Sequence, residues 1–405
     1  MAEIKNVVIV GGSYAGCSAV LAAKDKLPPG YRIIVIEPRS HFHYTFAFLR
    51  ASVVPDFERD LFIPYSGLFP EGSPNVLVHA KVSEVTSTHV VLDQSVTDAR
   101  LSTETTTTIP YAYLIYAAGA KHPSPTEMER ISSKEDSVAE LKDWQKQIIG
   151  AGRIVVVGGG GSGLEIAAEV AERYPRKKVV LVHSRQRYME AYGEGIHDVI
   201  YDILNKFGVH MIFGERVVSS EDVKGGATLV TTTKGTQIEA DLVLWCTGLK
   251  PQSVPLQSLS PTSVDPKTGF VKVLPTFQIV DSAFPNVFVC GDIADTTDMK
   301  LARAAFAQSA LVVDNILTLI GVSSSPSSGG APTLKTRDPL TEPGMWTRGI
   351  FMPMGHTGAV AVRLFGRQVA FNSWWWEVVR GKSGENLGAD NMWRMLGVEL
   401  DKTAQ

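Results

Sequence analysis

Cysteine is scarce in this chain, with three in 405 residues (Cys17, Cys246 and Cys290) and neither a C-x-x-C pair nor metal-ligand spacing among them. That excludes a disulfide framework, suits a reducing compartment, and leaves neither a metal site nor a dithiol relay to be expected. Charge of one sign is also missing. Lys and Arg total 39 against 42 Asp and Glu, for a net charge of -3, so no broad cationic surface for nucleic acid is expected. No apolar run approaches the roughly 20 residues of a membrane span. The N-terminus enters a strand without an apolar leader, and position 2 is Ala2, so the glycine needed for myristoylation is absent. Any membrane contact is expected to be peripheral.

Glycine, at 36 residues, is plentiful, and it gathers in turns that follow short apolar runs. Residues 7–10 form an uninterrupted apolar run, as expected of a strand buried on both faces in a parallel sheet. A Gly-rich turn at 11–16, a small-residue helix at 17–24 and a strand at 32–36 ending on Glu37 complete a βαβ unit. The order repeats with a strand at 154–157, a turn at 158–163, a helix at 164–172 and a strand at 179–182 ending on His183. Antiparallel strands are expected in 76–92 and 102–108. Buried strands at 113–117 and 241–246 close on Ala118-Gly119 and Thr247-Gly248, and a last one at 287–290 runs into Gly291-Asp292. A Ser/Gly/Pro stretch at 323–332 reads as a flexible loop.

The strand–glycine turn–helix suits a dinucleotide. Its backbone N–H groups and helix end receive the pyrophosphate, and an acid at the tip of the next strand receives the ribose. In the first unit Gly11 and Gly16 stand in the pattern with Ser13 between them, and Gly12, Tyr14 and Ala15 complete the turn. Glu37, 26 residues after Gly11, is placed for an adenosine ribose. The second unit keeps Gly158, Gly160 and Gly163, but its strand ends in His183-Ser184-Arg185, with Arg187 close behind, in place of an acid. A ribose 2′-phosphate is then not repelled, and a guanidinium can pair with it. NADPH is therefore the expected reductant, with NADH tolerated; the alternative is that Arg185 and Arg187 are solvated surface residues. Asp292 fits a carboxylate that accepts from the ribityl hydroxyls of a flavin, its alternative being a helix N-cap.

With these motifs in place the chain resembles the two-dinucleotide-fold flavoprotein reductases, specifically the apoptosis-inducing-factor-like, ferroptosis-suppressor-type oxidoreductases. The likeness rests on the first unit with Glu37, on Leu49-Arg50-Ala51-Ser52-Val53 and on Phe62-Ile63-Pro64-Tyr65-Ser66. It continues through residues 155–169, Val182-His183-Ser184, 244–248 and 286–295. The resemblance implies FAD in the first fold, NAD(P)H in the second, and two electrons passed to a quinone such as ubiquinone. By the same likeness Arg50, Gly248 and Gly291 belong to the cofactor sites, and Glu165 lies near the nicotinamide or flavin edge. Departures accompany it: the family's lysine after a Val-Arg-Leu run is absent, Arg367 standing nearest, and Ala307-Gln308-Ser309-Ala310 matches only part of the Ala-Gln-x-Ala element of type II NADH:quinone reductases.

The expectation is an α/β protein with two Rossmann-like dinucleotide-binding domains and a C-terminal α+β segment. Its divisions are 1–122 and 249–322 for FAD, 123–248 for NAD(P)H, and 323–405 for the C-terminal part. Candidate catalytic side chains are Glu165, Lys300, Gln308 and Arg367. The acceptor is expected to be a quinone, with a small aromatic metabolite as alternative; a slow redox sensor that regulates partner binding is the rival of another class. The consecutive Trp374-Trp375-Trp376 cannot bury on one face in either helix or strand. With Met345, Trp346, Phe351, Met352 and Met354, and with Arg380 and Lys382 nearby, they mark a candidate peripheral membrane contact, against a plain core role. A monomer or homodimer is expected, cytoplasmic or resting on an organelle or lipid-droplet surface.

Overall fold

The computed structural model describes residues 4–102, 104–223, 225–322, 332–338, 349–364, 367–372 and 386–400. The Trp374–Trp376 run, Met345, Trp346, Arg380, Lys382 and nearly all of the 323–332 loop lie outside the described residues.

Two parallel sheets organise the chain. The first has five strands in the order Val287–Val289, Tyr113–Tyr116, Lys5–Val10, Tyr31–Ile36 and Val76–Val78. Val7, Val8 and Ile9 are fully buried, sharing one core with helix residues such as Val20, Val312 and Ile316 and with Val85, Val90, Leu92 and Ile109. The second sheet orders His210–Phe213, Lys178–His183, Arg153–Val157 and Leu242–Trp245, all parallel. An antiparallel three-stranded sheet accompanies each: Val82–Val85, His89–Val96 and Thr106–Pro110 with the first, and Val217–Asp222, Thr228–Thr232 and Gln237–Ala240 with the second. Val76–Val78 was expected in an antiparallel pair and instead joins the parallel sheet beside Ile34–Ile36.

In each unit the central strand feeds a glycine turn and a helix, Tyr14–Ala23 in the first and Gly161–Arg173 in the second. The turn closes only with glycine. A Cβ on Gly16 would stand 1.7 Å from the Gly11 carbonyl oxygen, and one on Gly163 would stand 1.8 Å from that of Gly158. Both first glycines have positive φ, +98° at Gly11 and +111° at Gly158.

The described residues of the C-terminal part pack into the cores of the two nucleotide-binding units. Its sheet, Ile350–Met354, Thr357–Leu364 and Arg367–Asn372, sinks Met352, Met354, Ala359 and Ala361 into the core of the second unit. Helix Ala389–Met395 puts Met392 and Trp393 into the first core, and the Trp393 indole donates to the Asp60 carbonyl at 2.7 Å. A three-stranded sheet with one apolar face must be covered by a neighbour: the second nucleotide helix covers Ile350–Met354, and helix Gly195–Lys206 covers the other two strands. Met352 and Met354 are therefore core, not exposed apolar surface. Among the described residues, helix Ala302–Ile320 alone is long and apolar enough to cross a membrane; it packs along Tyr14–Ala23 with Val312, Val313 and Ile316 buried.

Candidate functional site

The carboxyl ends of the first sheet open onto a cavity of about 500 Å³, lined by Gly11, Ser13, Tyr14, Ala15, Glu37, Ala118, Gly119 and Asp292 among others. This is the crevice beyond the strand ends where open α/β sheets bind ligands. Glu37 is only 3% exposed, and its position is set by backbone: the Gly12 N–H donates to Oε2 at 2.6 Å and the Arg39 N–H to Oε1 at 2.9 Å. A carboxylate oxygen has a second lone pair, so Glu37 keeps acceptor capacity toward a ribose. Ser13 occupies the helix N-cap without a side-chain cap bond and lines the cavity, so its hydroxyl is open to a phosphate there.

On the far wall, Gly291 turns with φ +82° and Asp292 follows into the cavity. The helix beyond begins only at Ala302, with Leu301 as N-cap, so Asp292 is not a helix cap. Burial raises the Asp292 carboxyl above its ordinary value, and Lys300 and His122 oppose that rise. Lys300 donates to the Ala294 carbonyl, lies 4.8 Å from the Phe270 ring centroid, and is pushed down by burial while Asp292, Asp295 and Asp298 hold it up. It braces the turn and does not line the cavity. Gln308 is also committed elsewhere: its Oε1 accepts from Gly291 N–H at 2.7 Å and its Nε2 donates to Asp298 at 2.8 Å. Gln308 is 2% exposed and does not line the cavity, so the geometry gives no support to the expectation that it reaches a flavin or quinone oxygen.

Arg50 and Arg367 also differ from expectation. Arg50 pairs with Glu169 of the second helix at 2.8 Å and donates to the Gly355 carbonyl, so it ties the first domain, the second domain and the C-terminal sheet together instead of lining the cavity. Arg367 is exposed at a hairpin end, paired with Leu364, on the sheet that packs against the second domain. It is not among the residues that line the cavity.

The second glycine turn repeats the first with one exchange. Where Glu37 accepts from Gly12, His183 Nδ1 accepts from the Gly159 N–H at 3.2 Å, while its Nε2 faces the Arg187 carbonyl at 3.1 Å. These two bonds fix a neutral ring with its proton on Nε2. Burial, the largest influence, also lowers the His183 pKa. Arg187 is engaged with Asp198 at 3.3 Å and the Glu194 carbonyl at 2.9 Å. Arg185 is exposed, with no ion pair or side-chain hydrogen bond among the described residues. Gly160 is the helix N-cap with open space where a Cβ would stand, and Gly248 turns with φ +84° after the strand whose Cys246 carbonyl lies against Gly158. Glu165, half-buried on that helix, carries a carboxyl raised well above its usual value by burial and then by Glu169, with Arg50 opposing.

Other parts of the site gave little sign in the sequence. Arg39 pairs with Glu127 at 2.6 Å across the cavity wall, its partner 88 residues away. Tyr65 donates to the Gly12 carbonyl at 3.0 Å, which gives the Phe62–Ser66 likeness a physical basis. Tyr14 forms a ring cluster with Phe42, Tyr44 and Phe306 at centroid distances of 5.1, 6.4 and 6.2 Å, and Phe46 adds to Tyr44 at 6.2 Å.

Two dinucleotide cradles, one with an acid and one with a neutral imidazole at the strand tip, define a two-fold flavoprotein reductase. The family model for pyridine nucleotide-disulphide oxidoreductases matches residues 5–309, and the chain belongs to that family. It is 31% identical to Fe-regulated protein 8 of Mycosarcoma maydis, over 98% of this chain and 96% of that protein. It is 30% identical to ferroptosis suppressor protein 1 of Taeniopygia guttata, over 77% and 80%. The sulfide:quinone oxidoreductase of Aquifex aeolicus shares the fold at TM-score 0.70 and 16% identity, over 99% of this chain and 93% of that one. The chain is thus an FAD-dependent NAD(P)H oxidoreductase of the apoptosis-inducing-factor-like type. The residues fit the cofactor: Gly11 and Gly16 leave room where side chains would block the turn, and Glu37 and Asp292 stand at opposite walls of the cavity.

Proposed function

We propose that the chain is an NADPH-preferring reductase that passes electrons to a quinone. The ring cluster beside the flavin cavity carries the acceptor assignment. Tyr14 lines the cavity, and Tyr44, Phe46 and Phe306 are half-buried around it, offering faces and edges for a flat conjugated acceptor. The three cysteines favour a route without a dithiol: burial raises all three thiols, Cys290 to about 11 and Cys246 to about 12, so none is a ready thiolate. The donor assignment rests on the neutral His183 and the uncommitted Arg185, which together admit a 2′-phosphate.

FAD, when bound, supplies the two-electron carrier between donor and acceptor. The chain's own part is placement: Glu37 and Asp292 hold the two ends of the cavity, and the two helix starts attract pyrophosphate. Glu165, whose carboxyl is raised well above its usual value by burial and then by Glu169, serves as a proton source on the helix of the second cradle. The test is anaerobic. NADPH should bleach the flavin absorbance of the purified protein faster than NADH does, and a short-chain ubiquinone should then restore it. Bleaching without recovery would retire the quinone and favour another aromatic acceptor or a regulatory role.

A further inference from the structure

Asp298 is a carboxylate 2% exposed at its side chain, and a charge so buried needs partners. Among the described residues its side chain accepts three bonds: from Gln308 Nε2 to Oδ2 at 2.8 Å, from Arg337 Nε to Oδ2 at 3.1 Å, and from the terminal Arg337 NH2 to Oδ1 at 3.0 Å. The guanidinium therefore grips the carboxylate as a fork. Gln308 then has a fixed sense, because its nitrogen must face Asp298 and its oxygen must accept from Gly291 N–H. Gly291 leaves no slack on its other side, where a Cβ would stand 3.0 Å from the Ala15 Cβ. The line Arg337–Asp298–Gln308 thus ends on the peptide next to Asp292 in the flavin cavity.

Arg337 comes from beyond residues 5–309, the stretch that matches the family model. Its segment, 332–338, is held along helix Ala302–Ile320 by its backbone. Asn315 accepts from Lys335 N–H at 2.7 Å and donates to the Lys335 carbonyl at 2.9 Å, while Arg337 N–H donates to the Pro275 carbonyl at 3.0 Å. The segment is anchored independently of the ion pair.

We propose that Arg337 is a positioning residue for the flavin: by pairing with Asp298 it keeps Gln308 oriented and the Gly291–Asp292 turn presented to the cavity. Without it Asp298 is a buried carboxylate whose remaining side-chain partner among the described residues is Gln308. Removing Arg337 should therefore weaken flavin binding, and removing the Asp298 charge as well should restore it.

The experiment measures FAD dissociation from the full-length holoprotein for wild type, Arg337→Met, Arg337→Lys and the double variant Asp298→Asn, Arg337→Met. Arg337→Met should weaken FAD binding at least tenfold. The double variant, with the stranded Asp298 charge removed, should return to within threefold of wild type. Arg337→Lys, which keeps the charge without the fork, should fall between wild type and Arg337→Met. Weakening with no recovery in the double variant would mean a merely structural residue and overturn the assignment. So would wild-type binding by Arg337→Met. If Arg337→Met is insoluble, a soluble flavin-bearing double variant still upholds the proposal, and a double variant without flavin sinks it.

Discussion

Replacing Arg50 with alanine removes one half of an ion pair whose side chains are 11% and 6% exposed. Glu169 would then keep its buried charge with only the Gly355 N–H, at 3.3 Å, as a bond. Breaking such a pair from one side costs about 3–5 kcal/mol, mostly as the penalty of the stranded charge. For a cooperative unit of this size that is roughly 10 °C in melting temperature. The loss has a pH signature. Burial already raises Glu169 above the usual glutamate value, Arg50 holding it down; without Arg50 it rises further. A raised acid holds more protons folded than unfolded, so its contribution falls as pH rises from the unfolded value through the folded one. Well below that window both proteins carry a neutral Glu169 and differ least. Above the wild-type folded value the gap opens, and it is complete above the variant's. Melting curves of Arg50→Ala at acid and alkaline pH read this directly, and Arg50→Ala with Glu169→Gln should recover most of the alkaline loss. A variant equally destabilised at every pH, or one not rescued by Glu169→Gln, would refute the stranded-charge argument.

Further outcomes are expected. Gly163→Ala forces a Cβ to within 1.8 Å of the Gly158 carbonyl, so it should abolish flavin reduction by NADPH while the bound flavin is retained. Glu37→Ala leaves the Gly12 and Arg39 N–H groups without their acceptor and should weaken FAD binding on the order of a hundredfold, about 2.7 kcal/mol, seen as a colourless purified protein. Arg185→Ala should lower the NADPH/NADH ratio of kcat/KM about tenfold, as loss of one charge-assisted contact; an unchanged ratio would return Arg185 to the solvated surface. Glu165→Gln should flatten the pH profile of NADPH-driven turnover. In the wild type the rate is expected to fall as pH rises through the raised pKa of Glu165, which faces Glu169, Arg50 and Cys246.

The two cradles were legible because their causes are local. An apolar run, glycines at fixed spacing and the residue at the next strand's tip lie within about thirty residues of one another, and backbone sterics permit little else at Gly16 or Gly163. The exchange of Glu37 for His183 was readable in the same way, although the tautomer of His183 was not, because it depends on the Arg187 carbonyl beyond the strand. Tertiary structure alone decided everything that joins distant stretches. Arg50 looked like a cofactor residue from its neighbours in sequence, and Glu169, 119 residues on, made it a clamp. Gln308 looked like an acceptor ligand, and the fold buried it behind the cavity between Asp298 and Gly291. The C-terminal sheet and helix each present one apolar face, and a sequence shows that a face needs covering without showing which core will cover it. A side chain's chemistry is written at its own position, but its partner is chosen only when the fold brings another position within a few ångströms.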